Sequence, residues 1–395
     1  MSVGEWFSNH EIILTGVTSD LGRALLEKLL RAFPNVKINA VLRSRNGLNK
    51  DDRMKSILSS PGYERLRQED PSAITRVKGL EGNLLYEDIG LSDDDVSRLK
   101  NVAVLFHPAG PDGEVLEFCQ RLPNLRAIVS VSSLFKQKGS IMETHQNGKN
   151  SDVPLVVLRV PFLGPAYKEP IPGFVQVLKG PTALMIGAGY AYGKSDLPAE
   201  VFPIDLVVNT MIVAAWERGL RSRSDEPTVY NALSLGCTWA ELIEKGNLAN
   251  RKFSYPTFGV RGMTSVGFLH WIVVLFMEWM PSAACDAILS VFGAKPRCVA
   301  EHEKVRKALG SLEPIASRSW SVERKRIYQL QERLTLQDKD AYPISSEIDL
   351  ESYALCAAAS ARKYCVNEDS IKIVKNFKLL FVALFVILVL YYFFK

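Results

Sequence analysis

The sequence predicts an α/β protein. It reads as a doubly wound parallel sheet, then a smaller and mainly helical C-terminal domain, then a C-terminal transmembrane helix. Three observations carry this. A strand, a glycine turn and an amphipathic helix follow one another over residues 11–33. Further short apolar runs alternate with helical runs, as parallel strands do with their crossover helices. Residues 379–394 are sixteen in a row without a charge, nearly all large and apolar.

Glu11-Ile12-Ile13-Leu14 reads as a buried strand, with Thr15 to Gly22 as the turn behind it. In residues 21–33 the apolar positions Leu21, Ala24, Leu25, Leu29 and Phe33 share one helical face. Strand, turn and helix in that order build a phosphate site. Gly16 permits the tight turn and Gly22 lets the helix approach the strand. The helix N-terminus offers free N–H groups and a positive dipole end to a pyrophosphate. This is a Rossmann-type unit, and Thr15, Gly16, Thr18, Ser19, Leu21 and Gly22 are its candidate cofactor-binding residues. Ser19 stands where the fingerprint usually has its middle glycine. Asp20 either caps the helix or brings a negative charge close to the phosphates.

The next strand, residues 37–42, is followed by Arg43 and Arg45. An acidic residue there would hold a ribose 2′-hydroxyl, whereas a basic one favours a 2′-phosphate. NADPH is therefore the expected cofactor, with Arg43 recognising it. Later strands are expected over residues 73–80, 102–106, 125–131 and 154–160, and a short helix over 114–122. Each strand ends in a polar or glycine-containing segment, and ligands sit at those carboxyl ends.

At 395 residues and 47% hydrophobic content the chain has room for two cores. The division expected is residues 1–235 for the NADPH-binding unit, 236–370 for the helical domain and 377–395 for the membrane anchor. The net charge of +5 is spread over the whole length, without basic runs interleaved with aromatics. That argues against nucleic acid and suits an anionic ligand or membrane surface. The six cysteines form no Cys-x-x-Cys pair and no Cys/His cluster with zinc spacing, so reduced thiols and no metal are expected. The N-terminus has no apolar signal-peptide core.

Lys372, Lys375 and Lys378 precede the apolar tail and Lys395 follows it. Lysines on the N-terminal side predict a folded part that stays in the cytosol. A tail anchor in the endoplasmic reticulum or peroxisomal membrane is expected. A second apolar stretch, residues 266–280, contains His270 and Glu278 and meets Pro281. A charge inside a span costs ~2.5–3.5 kcal/mol on insertion scales. An amphipathic or buried helix ending at Pro281 is expected instead, lying on the membrane, along an acyl-chain path or in the core.

Taken together, these residues resemble the fatty acyl-CoA reductases. The opening from Leu14-Thr15-Gly16 through Gly22 to Leu30 looks like theirs, apart from Val17, Ser19 and Asp20. Gly82-Asn83-Leu84 stands where that family has Gly-Asp-Leu, which adds Asn83 and Leu84 to the cofactor-binding candidates. More specific are Lys168-Glu169-Pro170-Ile171-Pro172-Gly173-Phe174, Phe202-Pro203-Ile204-Asp205 and Thr238-Trp239-Ala240-Glu241. A weaker likeness runs from Lys295-Pro296-Arg297 to Tyr364-Cys365. The resemblance implies reduction of a long-chain acyl-CoA by two NADPH, through an aldehyde, to a fatty alcohol.

In the superfamily that this chain resembles, a Tyr-x-x-x-Lys pair supplies the proton and a Ser or Thr holds the carbonyl oxygen. Ser133 matches that hydroxyl and is the catalytic candidate. No tyrosine occurs between Tyr86 and Tyr167, the interval in which the pair belongs, and the segment after Gly110 is short. His107, Lys136 and Lys138 are the substitutes within reach in sequence. Three readings stay open: an active reductase, a membrane-tethered relative that binds NADPH or acyl-CoA without turnover, and an incomplete isoform.

Overall fold

The structure is a computed structural model that describes residues 1–8, 10–109, 113–135, 153–223 and 226–379. Seven strands form one all-parallel sheet: β1 (Glu11–Leu14), β2 (Lys37–Leu42), β3 (Val77–Glu81), β4 (Val102–His107), β5 (Ala127–Ser133), β6 (Leu155–Val160) and, after three short strands, β10 (Thr228–Asn231). Their spatial order is β10-β6-β5-β4-β1-β2-β3. The order reverses beside β1, which pairs with β2 on one side and β4 on the other. That switch point is where such sheets open a crevice for ligands.

The central strands β1, β4 and β6 are largely apolar because both faces are covered, whereas the edge strand β3 carries Lys78 and Glu81. Ile12 and Leu14 point into one core with the helices Asp20–Ala32 and Ile204–Gly219. Ile13 points the other way, into a core with Leu105, Leu116 and Phe118, the last two on the helix Gly113–Gln120. A third core gathers the helices Gly180–Met185, Trp239–Lys252, Cys298–Gly310 and Leu350–Cys365. Its members include Val175 to Val201, from the N-terminal half of the chain. Conversely, Ile327, Leu330, Tyr342 and Ile344 return to pack on the sheet. The two lobes thus exchange segments across residue 235. The remaining strands are β7 (Phe162–Gly164) paired with β9 (Val201–Pro203), and β8 (Tyr190–Tyr192) paired with β11 (Gly262–Thr264).

Two expectations need correction. The strand expected over residues 73–80 begins as a 3₁₀ turn, Pro71–Arg76, and only Val77–Glu81 is extended. Pro71 has no N–H to give a ladder, and the Asp70 side chain accepts the Ser72 N–H at 3.1 Å, which fixes the turn. Pro281 does not end its helix: helical structure continues to Val291. The π-helical turn Val274–Trp279 just before it has already left the α pattern of carbonyls that Pro281 could not serve. The tail expected as an anchor, from residue 380 onward, lies outside the described residues, as do Lys136 and Lys138.

Candidate active site: a nucleotide cavity and an adjoining cleft

The turn after β1 is built by close backbone approach. Gly16 has φ +58°, and a Cβ there would lie 2.7 Å from the Ala109 carbonyl oxygen. A Cβ on Gly22 would lie 2.3 Å from the Gly16 oxygen. No side chain fits at either place, which is the reason for both glycines. Ser19, in the place of the usual middle glycine, is the helix N-cap. Its hydroxyl accepts the Gly22 N–H at 3.0 Å and donates to the Gly16 carbonyl at 2.8 Å.

A cavity of about 380 Å³ opens at this turn, lined by Gly16, Thr18, Ser19, Arg43, Asn83 and Leu84 among others. Six of the nine cofactor-binding candidates therefore meet in one place. The other three stand behind it. Thr15 is buried, donates its N–H to the Phe106 carbonyl, and has its hydroxyl 2.5 Å from His107 Nδ1. Leu21 is buried in the core and Gly22 packs under the turn. They shape the cradle without lining it.

Arg45 and Arg53 line the same cavity. Arg53 was not legible as a site residue, because the chain must fold back to bring it there. A turn with Asn46 and Gly47 at positive φ reverses the chain after Arg45. The helix Lys50–Leu58 then returns Arg53 to donate to the Arg43 carbonyl. Burial and the neighbouring Arg45 and Arg43 charges lower the Arg53 pKa. Three guanidinium groups gather here, and the carboxylate beside them, Glu81, is engaged by the Ser44 N–H at 2.6 Å and hydroxyl at 3.0 Å, a cluster that fits a dianionic phosphate monoester.

Asp20, for which the sequence left open a helix cap or a charge near the phosphates, is not the cap, since Ser19 is, and its carboxylate pairs with Lys179 at an Nζ–Oδ2 separation of 2.5 Å. A second acidic cluster secures the same helix. Glu169 is 2.6 Å from Lys28 and 3.1 Å from Arg31, and Arg31 also pairs with Glu27 at 2.8 Å. The two cations hold the Glu169 carboxyl down at about 2 against burial, which pushes it up. Asp205 accepts the backbone N–H groups of Tyr167, Lys168 and Glu169 at 2.8–3.1 Å. The most distinctive motif in the chain, residues 168–174, is thus a clasp between the helices Asp20–Ala32 and Ile204–Gly219.

A larger cleft, about 920 Å³, opens at the carboxyl ends of β5 and β6. Val131, Phe135, Val160, Phe162, Leu163 and Ile315 give it apolar walls, while Lys179, Lys304 and Lys307 are its cations. Ser132 and Ser133 line it, and the Ser133 hydroxyl accepts the Phe135 N–H at 3.2 Å. That leaves the Ser133 O–H proton to donate into the cleft. Pro108 lines the cleft and Ala109 lines the nucleotide cavity, so the two spaces adjoin at the end of β4. His107 is 1% exposed and engaged with Thr15, beneath this junction. Tyr255, Tyr364 and Cys365 also line the cleft. Burial raises the Tyr255 phenol well above its ordinary pKa and pushes the Cys365 thiol up to about 11.

A family model described as "Male sterility protein" matches residues 14–111, and a second of the same description matches residues 277–368. Fatty acyl-CoA reductase 1 of Mus musculus is 24% identical over 453 residues, covering 93% of this chain and 87% of that protein. Its Homo sapiens counterpart is 23% identical with the same coverage. Fatty acyl-CoA reductase wat of Drosophila melanogaster is 21% identical, over 94% of this chain and 87% of that protein. These alignments are longer than the 395 residues of the chain, so the relatives carry segments that it lacks. In fold, the reductase domain of a non-ribosomal peptide synthetase from Mycobacterium tuberculosis superposes with a TM-score of 0.59 at 16% identity, over 90% of this chain and 92% of that one. The terminal R domain of the myxalamid pathway gives 0.53 at 13% identity, over 91% and 92%. With its glycine cradle and seven-stranded sheet, the chain is similar to the fatty acyl-CoA reductases along nearly its whole length.

Proposed function

We propose that this chain is an NADPH-dependent reductase of long-chain acyl-CoA that forms a fatty alcohol. The observation that carries the reading is the junction at Pro108 and Ala109, where a nucleotide-sized cavity meets an apolar cleft with a serine on its floor. Bound NADPH would supply hydride. Arg43, Arg45 and Arg53 would hold its 2′-phosphate, and the turn from Gly16 to Ser19 its pyrophosphate. The Ser133 O–H would donate to the thioester carbonyl oxygen, orienting the carbon and supporting the charge that develops there. The apolar walls would take the acyl chain. Hydride addition and a proton release free CoA and leave an aldehyde, and a second hydride and proton give the alcohol. The cleft's buried tyrosine and cysteine are weakened as acids by burial, so the protons are drawn from water in the open cleft.

The missing tyrosine between Tyr86 and Tyr167 supports a second reading, a relative that binds NADPH or acyl-CoA without turnover. In either case we read residues 379–394 as a tail anchor that keeps the folded part on the cytosolic side of the endoplasmic reticulum or peroxisomal membrane. The deciding experiment incubates the full chain, purified in detergent, with NADPH and hexadecanoyl-CoA, and measures fatty alcohol and free CoA. Product in both channels supports the reductase. NADPH binding without either product replaces it with the second reading.

A further inference from the structure

The helical run Gly267–Val291 is 25 residues long and apolar enough to cross a membrane, yet only 22% of its apolar window is buried. Its large side chains stand in solvent: Phe268 is 73% exposed and Trp271 57%, with Phe276, Met277 and Val291 also exposed. Phe292, just beyond, is 83% exposed. Scattered exposed apolar residues are ordinary, but this many on one helix about 37 Å long, at ~1.5 Å per residue, is a contiguous patch that marks an interaction surface.

The polar groups of the run face the other way. Glu278 is fully buried, accepts the Tyr190 N–H at 2.7 Å and lies 3.6 Å from Arg306. His270 lies 3.2 Å from the Arg306 guanidinium and packs on Tyr190 and Tyr192. The helix is therefore amphipathic in the sense that suits a lipid surface. Its two carboxylates, Glu278 and Asp286, are turned into the protein, Asp286 accepting the backbone N–H groups of Arg297, Cys298 and Val299, and apart from Ser290 its outer face is apolar. The charge also explains why the run does not span: Glu278 is committed to the body of the protein.

The course of the chain identifies the occupant. Residues 368–379 form a helix whose Ile373, Val374 and Phe377 pack with Phe258, Cys285 and Leu289, against the inner side of this run. That helix exposes Lys372 and Lys375, and in sequence the apolar residues 379–394 follow it directly. The tail is apolar on every side. Folding it over the exposed helix would present as much apolar surface as it covered. A bilayer accommodates both. Exposed Lys295, next to Phe292, adds a cation at headgroup level.

We infer that the helix Gly267–Val291 lies in the interface of the membrane that the tail enters, as a second membrane contact. It packs on the helix Cys298–Gly310, which carries Lys304 and Lys307 on the rim of the large cleft. The cleft is thereby held beside the bilayer, where an amphiphile with a long acyl chain partitions. This surface is independent of whether the chain turns over acyl-CoA.

The test uses the full chain in phosphatidylcholine vesicles with and without acyl-chain-brominated lipid, read by tryptophan fluorescence. The tail contains no tryptophan, so its insertion alone quenches nothing directly. Quenching is expected, and Trp271→Phe is expected to remove at least half of it. In the same vesicles a Phe276→Cys variant should react with a water-soluble maleimide at least tenfold more slowly than a Leu336→Cys variant, whose site is 82% exposed, once the reaction of the parent's own thiols is subtracted. Quenching unchanged by Trp271→Phe, equal maleimide rates, or Phe276→Cys cross-linking between two copies would each overturn the inference.

Discussion

The proposed chemistry turns on Ser133 and the arginine cluster. Ser133 lines the cleft, exposed, and its hydroxyl accepts the Phe135 N–H, which leaves its O–H available to donate to a carbonyl. Ser133→Ala is expected to lower kcat by roughly 10–10³-fold, the range seen when one oxyanion donor is removed, with NADPH affinity unchanged. Steady-state rates and a fluorescence titration separate the two, and a loss of NADPH affinity alone would reassign Ser133 to the cofactor. Arg53→Ala should weaken NADPH by about 1.5–3 kcal/mol, the value of a hydrogen bond to a charged group, while leaving NADH binding within twofold. Equal losses for both cofactors would remove Arg53 from 2′-phosphate recognition. Arg43 was legible because it follows a strand directly. Arg53 was not, because only the reversal at Asn46 and Gly47 joins it to Arg43.

The helix Asp20–Ala32 shows what an element owes to its neighbours. Its apolar stripe is readable from Leu21, Leu25 and Leu29, yet Glu27 and Lys28 are also buried. Periodicity assigns such residues to solvent, and the clasp of residues 168–174 covers them here. Glu169 is the centre of that clasp. Its folded pKa, near 2, lies below the unfolded value of about 4.3, so its contribution is fully present above the unfolded value and fades as pH falls through 4 toward 2. Glu169→Gln should destabilise by about 1–3 kcal/mol at pH 7, with the gap to the parent closing as pH approaches 2. Denaturant unfolding at several pH values measures this, and a gap independent of pH would show that packing, and not charge, is what the variant removes. At the other end of the helix, Gly22→Ala must push the Gly16 carbonyl aside. A loss of about 1–3 kcal/mol is expected, together with weakened NADPH binding, since the same carbonyl anchors the Ser19 cap.

For the whole molecule, cofactor binding and stability are linked. If the cavity beside Gly16 holds NADPH, saturation at a hundred times Kd should add about 2.7 kcal/mol to unfolding, visible as a rise in Tm, with Arg53→Ala reducing the rise. No shift with NADPH would leave the glycine cradle without its proposed ligand. Much of the architecture is present in the sequence by itself, because it depends on local chemistry. The apolar runs of β1, β4 and β6 imply a sheet covered on both faces, and Gly16 and Gly22 imply a backbone with no room for Cβ. What only the tertiary structure decided depends on residues far apart in the chain. Lys179 neutralises Asp20 across 159 positions. The lobes trade segments, so that Ile327 and Tyr342 complete the first core. The run through Pro281 continues as an exposed helix because the turn before it has already left the α pattern, and because Tyr190 and Arg306 take the Glu278 carboxylate while the N–H groups of residues 297–299 take that of Asp286. Pairings of this kind have no local signature, since they are chosen by burial and charge only after the chain has closed.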